Sequence, residues 1–134
     1  MVGAGPAGMR AAGALVAGGL RPVVVDESPR CGGQIYRQPP DGFTRPAKAL
    51  YGFESGRARR LHQAFAALDG HMDYRPETLV WNVSDGVAHT ARAREQEWRR
   101  GEIPFDALII ATGAHDRVVP FPGWTTPGVF TLGG

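Results

Sequence analysis

Gly3, Gly5 and Gly8 open the chain in the order Gly-Ala-Gly-Pro-Ala-Gly, and the acids Asp26 and Glu27 follow directly on the apolar run Val23-Val24-Val25. The chemistry these residues suit is the binding of a dinucleotide. Gly3 permits a tight turn out of a strand, Gly5 lets backbone approach a pyrophosphate, and Gly8 lets a helix pack close against a sheet. Pro6 and Ala7 belong to the same turn, and the helix N-terminus there faces phosphate charge. An acid at the end of the next strand accepts hydrogen bonds from the ribose hydroxyls. Asp26 lies eighteen residues after Gly8, near the offset of about 20 expected for that acid. With 19 glycines in 134 residues, the spacing alone carries little weight. Its context adds more: a small residue, Ala12, stands one helical turn after Gly8, and Gly19 stands where the helix must stop.

No other residues have the spacing of a self-contained acid–base device, and no catalytic residue is assigned. His71 and His89 fall in expected strands and read as surface or edge residues, while His115 stands nearer the cofactor turn. The single cysteine, Cys31, excludes an intrachain disulfide and a paired-cysteine metal or redox site. It reads as a loop residue.

These groups are positioned by an α/β pattern. Pro6 to Val16 reads as an alanine-rich helix, and Arg21 to Val25 as a buried parallel strand. Ser28 to Thr44, rich in proline and glycine, reads as a loop. Ala58, Leu61, Ala64, Phe65 and Leu68 fall at helical spacing, with Ser55 as candidate cap and Asp69-Gly70 as the stop. From His71 the period changes to two. Strands are expected at 71–74, 78–83, 86–91 and near 96–99, with Ser84-Asp85-Gly86 turning a hairpin. Phe105 to Ala111 is apolar throughout and reads as a further buried parallel strand ending at Thr112-Gly113. The fold class is therefore α/β, a Rossmann-like parallel sheet with an antiparallel β-meander inserted over residues 71–100 of a single domain, 1–134.

A formal charge of +2 with interspersed signs excludes a large basic face for nucleic acid. Arg57, Arg59, Arg60, Arg92, Arg94, Arg99 and Arg100 read as solvated helix and hairpin surface. No apolar run approaches the ~20 residues of a membrane span, and no charged-then-apolar leader precedes the glycines, so a cytoplasmic protein is expected. A first Rossmann strand needs about five residues, yet Met1 and Val2 alone precede the turn, and Leu132-Gly133-Gly134 reads as a continuing turn. An incomplete domain is the expectation.

The order of these elements, ending in Ala111-Thr112-Gly113, resembles the FAD domain of the glutathione-reductase and thioredoxin-reductase class of flavoproteins, over nearly the whole chain. Two local spellings narrow the resemblance. One is Asp26-Glu27-Ser28-Pro29-Arg30-Cys31-Gly32-Gly33-Gln34-Ile35-Tyr36-Arg37-Gln38-Pro39-Pro40. The other is Ala111 to Arg117 followed by Pro120-Phe121-Pro122-Gly123-Trp124 and Pro127-Gly128-Val129. Both resemble opine oxidase A subunits and the B subunit of hydrogen cyanide synthase, and are similar to α-subunits of heteromeric sarcosine oxidase and dye-linked proline dehydrogenase.

The resemblance implies FAD as cofactor. It places Gly3, Gly5, Pro6, Ala7 and Gly8 at the pyrophosphate and Asp26 or Glu27 at the ribose. The offset from Gly8 favours Asp26, and counting back from Gly32-Gly33 favours Glu27. Gly33 and Gln34 match the segment beside the flavin, backbone at Val80 or Trp81 the adenine-contacting strand, and Thr112 and Gly113 the turn closing over FAD. Tyr36 and Arg37 are candidates for the flavin pocket, against packing and a surface salt bridge.

The implied activity is oxidation of an amine or amino-acid C–N bond (opine, glycine, sarcosine or proline type), in one subunit of a heteromer. Two alternatives stand beside it. One is an NAD(P)H-dependent flavin reductase passing electrons to a thiol or iron–sulfur partner. The other is a truncated nucleotide-binding chain without turnover. Disulfide reductases of this class carry a cysteine pair, which this chain lacks; in the glutathione-reductase branch the pair would follow the Gly-Gly turn, whereas thioredoxin-reductase types keep theirs in a later domain, so that branch stays open.

Overall fold

A computed structural model describes residues 1–94, 97–114 and 119–130 of the chain. The first helix, α1 (Pro6–Ala17), begins with proline in its first turn, where a missing N–H costs nothing. Its small residues let it lie close to the sheet, with Gly8, Met9 and Ala12 buried. The amides of Gly18 and Gly19 close the helix on the carbonyls of Ala14 and Val16, and the chain reverses.

Strand β1 (Val23–Val25) starts later than the expected Arg21. Pro22 has no N–H to give to a ladder and contributes its carbonyl alone, which accepts from Asp73 at 2.9 Å. β1 pairs in parallel with β2 (Asp73–Arg75) on one side and with Val2 on the other. Val2 in turn bridges Ile110, so the parallel order runs β2, β1, Val2, Ile110. The expected strand Phe105–Ala111 is reduced to that one bridge. Its partner Val2 accepts from Ala111 at 2.7 Å and donates to Ile109 at 2.9 Å, and the chain then turns away at Gly3.

A short helix α2 (Ala47–Tyr51) and a single 3₁₀ turn, Gly52–Glu54, precede α3 (Ser55–Ala66). Glu54 occupies the cap position in helical conformation because the 3₁₀ turn runs straight into α3, so Ser55 lies inside the helix rather than capping it. α3 buries Ala58, Leu61 and Phe65 at the expected spacing. Phe65 meets Tyr74 edge to face with centroids 5.2 Å apart. Full burial of such a side chain contributes about 1.5–3 kcal/mol.

The meander comprises β3 (Thr78–Ser84), β4 (Val87–Arg94) and β5 (Glu97–Pro104), all antiparallel. Asp85 and Gly86, with φ of 50° and 75°, form the two-residue turn between β3 and β4, the left-handed pair that matches hairpin twist. β5 pairs along β4 as far as Pro104, well past the expected Arg99, and the expected start Gln96 lies outside the described residues.

Alternation along β1 builds the layers. Val24 faces α1 and α3, in a core with Ala4, Met9, Leu61, Phe65 and Met72. Val25 faces the meander and packs with Ala88 and Ile103. The mixed α/β architecture is the one the sequence implied.

Candidate functional site

The parallel strands end on a common rim, where Gly3, Asp26 and Thr112 meet. Gly3 leaves the sheet at φ 99°, and a Cβ there would stand 2.3 Å from the Ala111 carbonyl oxygen and 3.1 Å from the Thr112 nitrogen. A Cβ on Gly8 would stand 1.9 Å from the Gly3 oxygen, so α1 rests directly on the turn. Gly5 precedes α1 in extended conformation without a capping side chain. The amides of Ala7 and Gly8 in the first turn therefore have no helical carbonyl to donate to.

The loop after β1 closes over this turn. The Gly32 amide donates to the Ala4 carbonyl at 2.9 Å. A Cβ on Gly33 would come within 2.9 Å of Gly5 Cα. Bare backbone thus approaches bare backbone over the positive end of a helix, an arrangement that accepts phosphate oxygens. A Cβ at Gly3, Gly8 or Gly33 would collide with neighbouring backbone, so the close packing of this turn requires glycine, and the free amides of the first turn are the donors a pyrophosphate would need.

The two acids take different places. Half-buried Asp26 accepts from the Ala4 amide through Oδ2 at 2.5 Å and from the Ser28 amide through Oδ1 at 2.8 Å. Glu27 is exposed and lines a cavity of about 300 Å³ with Pro29, Glu77, Leu79 and Trp98. Thr78 donates to the Asp26 carbonyl at 2.9 Å and Glu77 to that of Ser28 at 3.1 Å, which ties this loop to the start of β3 and frames the cavity.

Val80 and Trp81 stand apart from that cavity. Val80 packs against the Val25, Ala88 and Ile103 cluster. Trp81 is the extra residue of a bulge between Val80, paired with Thr90, and Asn82, paired with His89. Its indole is exposed beside the His89 ring, with centroids 5.4 Å apart. Leu79 and Trp98 line the cavity instead. Strand alternation points to Leu79, whereas Trp98 depends on a register across three strands that the sequence does not display.

Gln34 is exposed and accepts from the Arg37 guanidinium at 2.9 Å. Thr112 and Gly113 are exposed at the rim. Tyr36 is a packing residue: its ring is buried edge-on to Tyr51, and its hydroxyl donates to Glu54 at 2.5 Å. That hydrogen bond, helped by Arg57 at 3.4 Å, holds the Glu54 carboxyl below its ordinary range. The same hydrogen bond holds the Tyr36 hydroxyl above its own range, against the opposing effect of the Arg57 charge.

Cys31 is buried, with the Gln38 amide 3.3 Å from Sγ, and burial raises its thiol pKa. A buried, protonated thiol is a poor redox nucleophile. His89, on the central strand of the meander rather than at an edge, contacts Ser84 at 3.2 Å and Glu102 at 3.5 Å, and His71 is exposed. His115, Asp116 and Arg117 lie outside the described residues. Among the described residues no cluster of three His, Cys, Asp or Glu side chains is placed to hold a metal ion, and no helix is long and apolar enough to cross a membrane.

A parallel sheet, a glycine cradle on a helix N-terminus and an acid-bearing cavity beside it define a dinucleotide-binding domain of the Rossmann type. The chain belongs to the pyridine nucleotide-disulphide oxidoreductase family, whose model matches residues 1–133. Its dinucleotide is FAD. It is 40% identical over its full length to the HcnB subunit of hydrogen cyanide synthase from Pseudomonas aeruginosa, of which it covers 28%. It is also 40% identical to the A subunit of opine oxidase from Agrobacterium tumefaciens, with 99% of this chain and 27% of the relative aligned. The α-subunit of sarcosine oxidase from Rhizobium meliloti is 29% identical over 99% of this chain and 14% of its own length. The chain thus spans little more than a quarter of the first two relatives.

Proposed function

We propose that the chain is the FAD-binding part of an oxidoreductase that oxidises an amine or amino-acid C–N bond, working in the cytoplasm as part of a heteromeric enzyme. The observation that carries this reading is likeness along essentially the whole chain to the opine oxidase A subunit, joined to a close-packed glycine turn at a helix N-terminus. The names of these relatives, two of them oxidases and all of them subunits, supply the substrate class and the expectation of a companion chain.

In this reading the Gly3–Gly8 turn, with Pro6 and Ala7, holds the pyrophosphate against the start of α1. Asp26 acts one step removed, fixing the Ala4 amide and so the turn's shape. Glu27 accepts from the ribose hydroxyls, and the adenine lies in the cavity between Leu79 and Trp98. Gly33, Gln34, Thr112 and Gly113 cover the cofactor where it leaves the cradle. When bound, the flavin ring accepts the hydride equivalent from the carbon next to nitrogen. The chain's own residues bind and orient the cofactor.

The test is spectroscopic. Purified protein should be yellow with bound FAD, and in a full-length version the flavin band should bleach anaerobically on adding an opine, glycine, sarcosine or proline, and not on adding NADPH. Failure to retain FAD overturns the cofactor assignment for this site. Bleaching by NADPH with none by any amine overturns the amine chemistry.

A further inference from the structure

On the face of the meander opposite Leu79 and Trp98, β2 and the meander border a second, open cavity of about 430 Å³, within the range of small-molecule sites. Arg75, Arg92, Arg99 and Arg100 line it, with Asp73 as the acid among them. It shares no lining residue with the cavity at Glu27. Asp73 holds Arg75 through Nε at 3.0 Å and NH2 at 2.7 Å, fixing that guanidinium's orientation. Arg92 is approached by Glu77 at 3.9 Å, a loose contact between half-exposed side chains. No carboxylate among the described residues lies within ion-pair distance of Arg99 or Arg100.

The register sharpens the point. Arg92 and Arg99 are directly opposed across β4 and β5, and like charges so placed destabilise a sheet. Thr90, which is buried, and Gly101, which is exposed, are opposed on the same ladder and form part of the lining, and a Cβ on Gly101 would stand 2.9 Å from Thr90 Oγ1. The cavity is therefore deepened at glycine, and the guanidinium-bearing residues Arg92 and Arg99 stand opposed on the face that lines it. Guanidinium forks match phosphate and carboxylate oxygens in pairs.

We propose that this cavity binds a small oxyanion, a molecule bearing a phosphate or carboxylate group, at a site separate from the dinucleotide cradle. Arg92 and Arg99 are its principal ligands, Arg75 is the oriented third, and Thr90 sits among the buried lining residues.

The experiment titrates FAD-saturated protein with inorganic phosphate, pyrophosphate and succinate at constant ionic strength, following melting temperature and calorimetric heat. FAD occupies the cradle, so its helix N-terminus cannot supply the signal. Wild type should show saturable binding and a rise in melting temperature. The double variant Arg92→Gln, Arg99→Gln should melt higher without added anion, because the repulsion is gone, and should bind roughly tenfold or more weakly. Arg59→Gln, on the exposed surface of α3, should behave as wild type. Preference for phosphate or for succinate identifies the group recognised, and either supports the site. Absence of saturable binding, or equal binding by wild type and the double variant, overturns it, whatever the outcome of the FAD and amine tests.

Discussion

The carboxylate of Asp26 holds the backbone amide of Ala4, 22 residues earlier in the chain, at 2.5 Å. With its second oxygen on Ser28, the acid at the end of β1 is engaged by the protein's own backbone. Its neighbour Glu27 faces the adjoining cavity. The spacing that marks a ribose-binding acid therefore covers two residues with separable jobs.

Asp26→Asn sets an amide NH₂ against one of two backbone donors. A hydrogen bond to a charged group is worth about 1.5–3 kcal/mol, and the buried donor left behind adds a penalty. The variant should lose about 2 kcal/mol of stability in urea unfolding and, through the disturbed turn, most of its FAD. Glu27→Gln should leave stability within about 0.5 kcal/mol, as exposed substitutions do, while FAD affinity falls roughly tenfold (about 1.4 kcal/mol). The reverse pattern would put the ribose on Asp26.

Cys31 tests whether a thiol within this domain takes part in electron transfer. Its sulfur is buried and its thiol pKa is raised by that burial, so little thiolate is present near neutrality. Cys31→Ala should cost about 1 kcal/mol for the small volume lost from the core and leave the flavin spectrum and turnover intact. In native protein the thiol should react with a disulfide reagent far more slowly than in urea-unfolded protein. Loss of turnover in the alanine variant would revive the thiol-linked reading.

The Tyr36–Glu54 hydrogen bond gives stability a pH dependence at both ends. The Glu54 carboxyl titrates lower in the folded chain than its unfolded value of about 4.3. Its contribution is complete above that value and lost as pH falls through the folded one. The Tyr36 hydroxyl titrates higher than its unfolded value of about 10. Its contribution is complete below that pH and lost as pH rises through the folded value. Tyr36→Phe removes the alkaline effect and the larger part of the acid one, leaving Arg57 on Glu54, so melting temperature against pH should flatten on the alkaline limb and become shallower on the acid limb. Unchanged slopes would show that the hydrogen bond does not form in solution.

The parts of this fold legible in the sequence were those written in local chemistry. Pro6 and Gly19 bound α1, the Asp85-Gly86 pair marks its hairpin, and the spacing of Ala58, Leu61 and Phe65 gives α3 its buried face. The helix α2 was not legible, because five residues after Pro46 carry no period. It is held by distant contacts such as the Tyr51 hydroxyl donating to the Arg37 carbonyl. The apolar run at Phe105–Ala111 reads as a strand, yet a ladder needs a partner, and Val2 offers one rung. At the site the glycines announce themselves through spacing. Trp98 and the paired arginines do not, because register, a long-range property, puts them together.

Tyr74 offers a last test, of the core beneath the cradle. Its hydroxyl is buried with no hydrogen-bond partner among the described residues, and burial pushes its pKa well above the ordinary tyrosine range. Leaving a buried hydroxyl unpaired costs about 1–3 kcal/mol. Its ring, by contrast, packs edge-on against Phe65 and is worth keeping. Tyr74→Phe retains the ring and removes the orphaned oxygen, so it should be neutral or stabilising by up to about 1 kcal/mol in urea unfolding. Tyr74→Ala should cost about 3–5 kcal/mol, the range for deleting a buried aromatic ring. The two variants together separate the hydroxyl from the ring. A loss of more than about 1 kcal/mol in the phenylalanine variant would show that the hydroxyl finds a partner in solution, and that partner would have to be sought near Cys31 and Asp26, the charged or polar groups that bear on it.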